Sequence, residues 1–242
     1  MSADSAWPPG RASKRIDMIM KALAQILLAA ALPAAAETAP DVLARMDAEA
    51  PTFHQITAKL KKIEFTEVLN DTTTETGNIW LRRAKRGILM RTEFTTPKNQ
   101  RAVGVEGNRA EIYYPNMNTV QIYDLGKFGS LVDQFLILGF GSSGKEIART
   151  YTVTFGSEET VGGQKTSRLE LIPKSEKTRA HFDRIELWIP LKAGHPVQQR
   201  LNQPTGNYYL FTYTDIKLNP ALPETEFHLK LPAGAKKEYP QK

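Results

Sequence analysis

The chain has 242 residues, with 32 Lys and Arg against 26 Asp and Glu, and a formal net charge of +6. Hydrophobic residues make up 41% and charged residues 24%, a globular composition that excludes a disordered chain. Cysteine is absent, which excludes disulfide staples, a thiol nucleophile, a Cys-ligated metal and a lipid-modified N-terminal Cys.

The N-terminal stretch reads as an export signal. Ala22 to Leu32 is an apolar run with one polar residue, Gln25. Arg11, Lys14, Arg15 and Lys21 precede it, and Pro33 then Ala34, Ala35 and Ala36 follow. A basic region, a short apolar core and a small-residue site predict cleavage after Ala36. Residues 1–36 are therefore expected to be a signal peptide and 37–242 a single domain, with Met20 the natural start. The apolar run is too short to span a bilayer, which takes about 20 residues.

Asp41 to Lys62 is the best helical stretch, with Val42, Leu43, Met46, Phe53, Ile56 and Leu60 near helical spacing and Pro51 splitting it. After it the period changes to two. Strands are predicted over 78–82, 88–94, 101–105, 111–114 and 119–123, with turns at Glu106-Gly107-Asn108 and Pro115-Asn116-Met117-Asn118. Phe128, Leu131, Val132, Phe135, Leu136 and Leu138 fit a short apolar helix, followed by a glycine-rich hinge. Strands resume at 151–155, 167–172, 184–189, 197–202, 208–218 and 226–232. The predicted fold is α+β, mostly β: an open antiparallel half-barrel of about ten strands, its concave side covered by helices.

Chemical motifs are few. Gly139 to Lys145 satisfies G-x-G-x-x-G and, up to its last position, the phosphate-cradling G-x-x-x-x-G-K. Glu146 replaces the hydroxyl residue that motif needs, and too few residues follow for a full helix. His54, His181, His195 and His228 do not stand at metal-ligand spacing, and no G-x-S-x-G elbow exists. The sequence therefore points away from an enzyme, a metal site, a cofactor or nucleic-acid binding. What remains is a set of apolar strand residues, which composition alone reads as plain packed core, with a half-barrel pocket for a greasy ligand as the functional alternative. The candidate walls are Trp80, Ile88, Met90 and Phe94, then Val103, Val105, Ile112, Tyr114 and Ile122. The second half of the chain adds Phe155, Leu169, Leu171, Ile185, Leu187 and Phe211.

Gly77-Asn78-Ile79-Trp80-Leu81-Arg82-Arg83 resembles a strand of the periplasmic outer-membrane lipoprotein carrier (LolA-like) family. Val103 to Asn108 with Tyr113-Tyr114-Pro115, the terminal Phe227 to Gly234, and Phe53-His54 in the first helix resemble further family segments. Ala84 stands where the family has Pro. The resemblance implies a non-enzymatic, monomeric periplasmic carrier. It would shield lipoprotein acyl chains, or those of a related lipid, between an inner-membrane transporter and an outer-membrane acceptor. It further implies a lid carrying Phe128, Leu131, Phe135 and Leu136, and a latch, Arg83, that holds the lid shut. The alternatives left open are a sensor or scaffold of the same fold that binds a partner protein, and an exported lipid-active hydrolase.

Overall fold

The structure is a computed structural model and describes residues 37–85, 87–126 and 138–241. The predicted signal peptide and the lid residues Phe128, Leu131, Phe135 and Leu136 lie outside the described residues.

The chain enters through helix α1 (Ala39–Glu49), where Thr38 and Asp41 form a reciprocal capping box and Pro40 occupies the first turn. Six strands follow as a meander: β1 (Gln55–Thr66), β2 (Asp71–Arg83), β3 (Ile88–Phe94), β4 (Arg101–Glu106), β5 (Arg109–Tyr114) and β6 (Thr119–Asp124). After helix α2 (Gly144–Thr150) a second meander runs through β7 (Tyr151–Val161), β8 (Gln164–Pro173), β9 (Arg184–Pro190), β10 (Gln198–Asn202) and β11 (Tyr208–Leu218). Helix α3 (Glu176–Arg179) sits between β8 and β9, and the chain closes with β12 (Lys236–Glu238).

All twelve strands belong to one sheet, in the order β12-β6-β5-β4-β3-β2-β1-β11-β10-β9-β8-β7. The pairing of β1 with β11 fuses the two meanders. Neighbours are antiparallel except β12, which runs parallel to β6. The ends of this order, β12 and β7, do not pair, so the sheet stays open. The open, mostly antiparallel sheet expected from sequence is thus observed, with twelve strands among the described residues in place of about ten.

Two sequence expectations differ from the structure. The helix expected to reach Lys62 stops at Glu49, and Gln55 onward is strand. Ile56 and Leu60 are four residues apart, a spacing that serves both periods. The buried Ala58 between them, with exposed Lys59 and Lys61 on either side of Leu60, decides for the strand. Residues 226–232, expected as the last strand, contain the end of a 3₁₀ turn (Glu224–Phe227) and an irregular tail. Phe227 is buried there, and Leu229 lies so close to Gly104 that a Cβ on that glycine would clash with it.

Register fixes two faces. Residues opposite one another across a ladder share a face, and alternate residues along a strand switch it. One face, here called inner, carries both hydrophobic clusters. The first holds Ile56, Leu60, Leu81, Met90, Val105 and Tyr213, and the second holds Leu169, Leu171, Ile185, Leu187 and Ile189. Val42 and Met46 of α1 and Ile147 of α2 belong to the second. Among the described residues, no helix contributes a buried side chain to the first.

Candidate functional site: the inner face and its tied turn

On the first half of the inner face the registers Leu81↔Met90↔Val105↔Ala110 and Ile79↔Thr92↔Val103↔Ile112 stack two rows of side chains across four strands. Phe94, Arg101 and Tyr114 continue the face at one end, and Arg83 and Ile88 at the other. Phe211 joins from β11 opposite Lys62. Of the residues picked from sequence, Ile88, Met90, Phe94, Val103, Val105, Ile112, Tyr114 and Phe211 share this half. Ile79, Val103 and Phe211 pack against the cluster while keeping partial exposure, and Ile112 is partly exposed as well.

Leu169, Leu171, Ile185 and Leu187 share the inner face but lie on its other half, fully buried in the cluster that includes Val42, Met46 and Ile147. Phe155 packs at the margin of that cluster. The structure places these residues as core beneath the helices.

Trp80 and Ile122 are not brought to the inner face. Trp80 pairs with Thr57 and Arg91, one step out of phase with Ile79 and Leu81, so its ring points outward. Arg91 stacks over it, 3.8 Å from the ring centroid, and is held by Glu93 at 2.6 Å. Trp80 lines an open outer groove of about 540 Å³ with Asp215, Ile216, Pro220 and Leu222. Ile122 stands opposite Glu111 on the same outer face and lines a groove with Tyr239. Three successive apolar residues, Ile79-Trp80-Leu81, conceal the phase of β2 in the sequence.

One end of the first half is polar. Glu75 is buried and accepts two hydrogen bonds from the Arg101 guanidinium, at 2.5 and 2.9 Å, and one from Asn99 at 2.6 Å. Lys62 approaches the same carboxylate at 3.5 Å. The bonds from Arg101 outweigh the cost of burial and hold the Glu75 carboxyl below its usual range. Arg101 lies over the Phe94 ring at 4.2 Å, and Lys62 over Tyr209 at 5.0 Å.

The opposite end is closed by a tied turn. Gly139 and Gly141 have positive φ, 84° and 75°, which permits the tight path from Leu138 into α2. Arg83 donates from Nη2 to the Gly141 carbonyl at 2.5 Å, and its guanidinium lies over the Phe53 ring. Gln199 donates to the Leu138 carbonyl and accepts from the Tyr213 hydroxyl at 2.8 Å. Phe140 meets the Tyr213 ring edge-on at 5.0 Å. Burial pushes the Tyr213 hydroxyl strongly upward, so it remains a neutral donor to Gln199.

Two side chains from distant strands, β2 and β10, therefore hold the two ends of one four-residue turn. Gln199 was not singled out from sequence. Gln199 follows Gln198 and precedes Arg200, so it reads as one of a run of solvated residues, and nothing local marks it as buried. Phe53 follows α1 in a loop instead of lying within a helix. Glu146, the residue that breaks the phosphate-loop motif, completes the Ser143 capping box of α2, a helix of only seven residues. Among the described residues no group of three His, Asp or Glu side chains could hold a metal.

Comparison with known proteins bears out the resemblance read from the motifs. The chain is 32% identical over 131 residues to an outer-membrane lipoprotein carrier protein of Cupriavidus pinatubonensis, covering 54% of this chain and 56% of that protein. It thus spans about half the length of the curated relative it matches. No family model matches the chain. Among solved structures, an uncharacterized conserved protein of Thermus thermophilus superposes with TM-score 0.52 at 13% identity, over 83% of this chain and 98% of that one. MucB superposes with TM-score 0.49 at 18% identity, over 79% of this chain and 62% of that one. The Thermus likeness is one of fold.

Proposed function

We propose that the chain is a non-enzymatic periplasmic carrier that shields the acyl chains of a lipoprotein, or of a related lipid, against the first half of its inner face. The observation that carries this reading is the partly exposed set made of the row Ile79, Val103 and Ile112 together with Phe211 farther along the same face. It is an apolar stripe on an open sheet to which none of the described helices adds a buried side chain. Burying a methylene there is worth about 0.8 kcal/mol. A single saturated chain thus gains enough to leave water without being held irreversibly.

In this reading the apolar stretch Phe128 to Leu138 is the lid, and the turn tied by Arg83 and Gln199 anchors its downstream end. Opening then costs part of the binding energy, which permits release to an acceptor. Export through the cleaved signal peptide would place the carrier between an inner-membrane transporter and an outer-membrane acceptor. The 32% identity to a lipoprotein carrier supports the cargo class.

A fluorescent fatty-acyl probe tests the reading. The parent chain should bind it, and Ile112→Glu should weaken binding tenfold or more by placing an unpaired charge in the stripe. Trp80→Glu, on the outer face, should bind like the parent. No binding by the parent, or equal weakening by both variants, would contradict the proposal.

A further inference from the structure

Among the described residues, the most exposed large hydrophobic side chains are Val68 at 89%, Leu69 at 72% and Met117 at 62%. All three sit on hairpin tips. Val68 and Leu69 occupy the 3₁₀ turn Glu67–Leu69 between β1 and β2, and Met117 ends the turn Pro115–Met117 between β5 and β6. Asn70 and Asn118 follow them in the left-handed region, φ 46° and 45°, closing each tip. Strand direction puts both tips at one end of the sheet. β1, β3 and β5 run toward it, and β2, β4 and β6 run away. It is the polar end of the inner face, where Glu75, Arg101 and Lys62 meet, and it lies opposite the turn tied by Arg83.

One step behind these tips comes a layer of aromatic rings. Phe65 and Tyr208 stack at 5.0 Å beneath the first. Tyr113 and Tyr114 precede the second, with the Tyr113 hydroxyl bonded to Asn118 at 3.1 Å. Apolar side chains outermost with amphipathic rings behind them is the order in which a lipid interface changes from hydrocarbon toward headgroups. A folded protein partner would need a complementary surface of about 1,000 Å². Isolated protruding side chains provide none, whereas a fluid hydrocarbon layer accepts them without a matching shape.

We propose that this end of the sheet rests on a lipid bilayer, with Val68, Leu69 and Met117 inserted among the acyl chains. The inference goes beyond the carrier reading, since it assigns a membrane-contacting edge whatever the cargo. It also gives the inner face an orientation. The polar end of the stripe would open at the bilayer surface, and the tied turn would point away from it. Glu67 and Asp71 flank the larger tip and Lys98 lies in the hairpin between the two tips, so the contact is apolar first and depends little on lipid charge.

The test uses vesicles of phosphatidylcholine and the full mature chain. Because the chain has no cysteine, Leu69→Cys and Asn108→Cys each accept one environment-sensitive dye. Asn108 lies in the β4–β5 turn at the opposite end of the sheet. The dye at position 69 should shift to the blue on adding vesicles, and the dye at 108 should not. In flotation, Val68→Asp with Leu69→Asp should reduce vesicle binding tenfold or more. Met117→Asp should reduce it by a smaller factor. Adding anionic phosphatidylglycerol should change the parent's binding less than threefold. Thermal melting reports whether the variants fold, and acyl-probe binding without vesicles should be unchanged in them. No blue shift at 69, or flotation of the double variant equal to the parent, overturns the proposal. Loss of acyl-probe binding by the parent with tip-dependent flotation intact would overturn the carrier reading alone.

Discussion

The inner face carries two apolar surfaces made by the same rule and covered differently among the described residues. Across β8 and β9, Leu169, Leu171, Ile185 and Leu187 are sealed by Val42 and Met46 from α1 and Ile147 from α2. Across β2–β5 and β11, Ile79, Val103, Ile112 and Phe211 keep part of their surface in solvent. Residue types and alternation are alike on the two halves. What differs, among the described residues, is what the chain lays on top. A strand pattern therefore tells which side chains share a face, and only the covering elements tell whether that face is core or binding surface.

The sharpest way to break this comparison is by stability. Leu187→Ala should cost about 2–5 kcal/mol, because it leaves a cavity in a sealed cluster. Val103→Ala, on the half-open stripe, should cost about 1 kcal/mol or less. Denaturant titrations of both variants compare them directly, and equal costs would show that the two halves are equally closed.

The tied turn divides along the same line. Gln199→Leu strips partners from the buried Leu138 carbonyl and Tyr213 hydroxyl, and should cost about 1–3 kcal/mol. Arg83→Leu removes one part-buried hydrogen bond to Gly141 and should cost about 1 kcal/mol. Its larger effect should fall on function: loading with acyl probe retained, and release to an acceptor slowed. Lys85→Leu, two residues farther along the chain, serves as the control. Equal release by the two variants would remove Arg83 from the functional residues.

The smallest effect concerns pH. Folded Glu75 binds its proton less readily than unfolded Glu75, because the Arg101 bonds favour the carboxylate. The unfolded state therefore takes up more protons as pH falls, and stability is lost below the usual Glu value of 4.5. In Glu75→Gln this part of the acid dependence should vanish, which melting curves between pH 3 and 7 would show. An unchanged profile would mean that Glu75 is not ionised and bonded as described.

Much of this was legible in the sequence, and the gaps have physical causes. Alternation in 88–94 and 101–105 places Ile88, Met90, Phe94, Val103 and Val105 together because their large apolar side chains recur every second residue. Trp80 falls on the outer face against expectation because Ile79 and Leu81 flank it, and contiguous apolar residues carry no phase. Ile122 is buried on the outer face near the C-terminal segment, a long-range contact that local pattern does not encode. The helix read through Ile56 and Leu60 failed because a four-residue spacing fits both periods. Arg83 is marked in the sequence by the resemblance alone. Gln199 and the exposed tip at Val68 and Leu69 are set by tertiary placement and left no local signal.

The central claim is that the stripe over β2–β5 and β11 holds the acyl chain. A fatty acid with a photoactivatable diazirine in its tail, crosslinked to the protein and mapped by peptide mass spectrometry, tests it most directly. The account predicts labelling at Ile79, Val103, Ile112 and Phe211, competed by unlabelled fatty acid. Labelling confined to the outer groove around Trp80, or to the sealed half at Leu169 and Leu187, would contradict it.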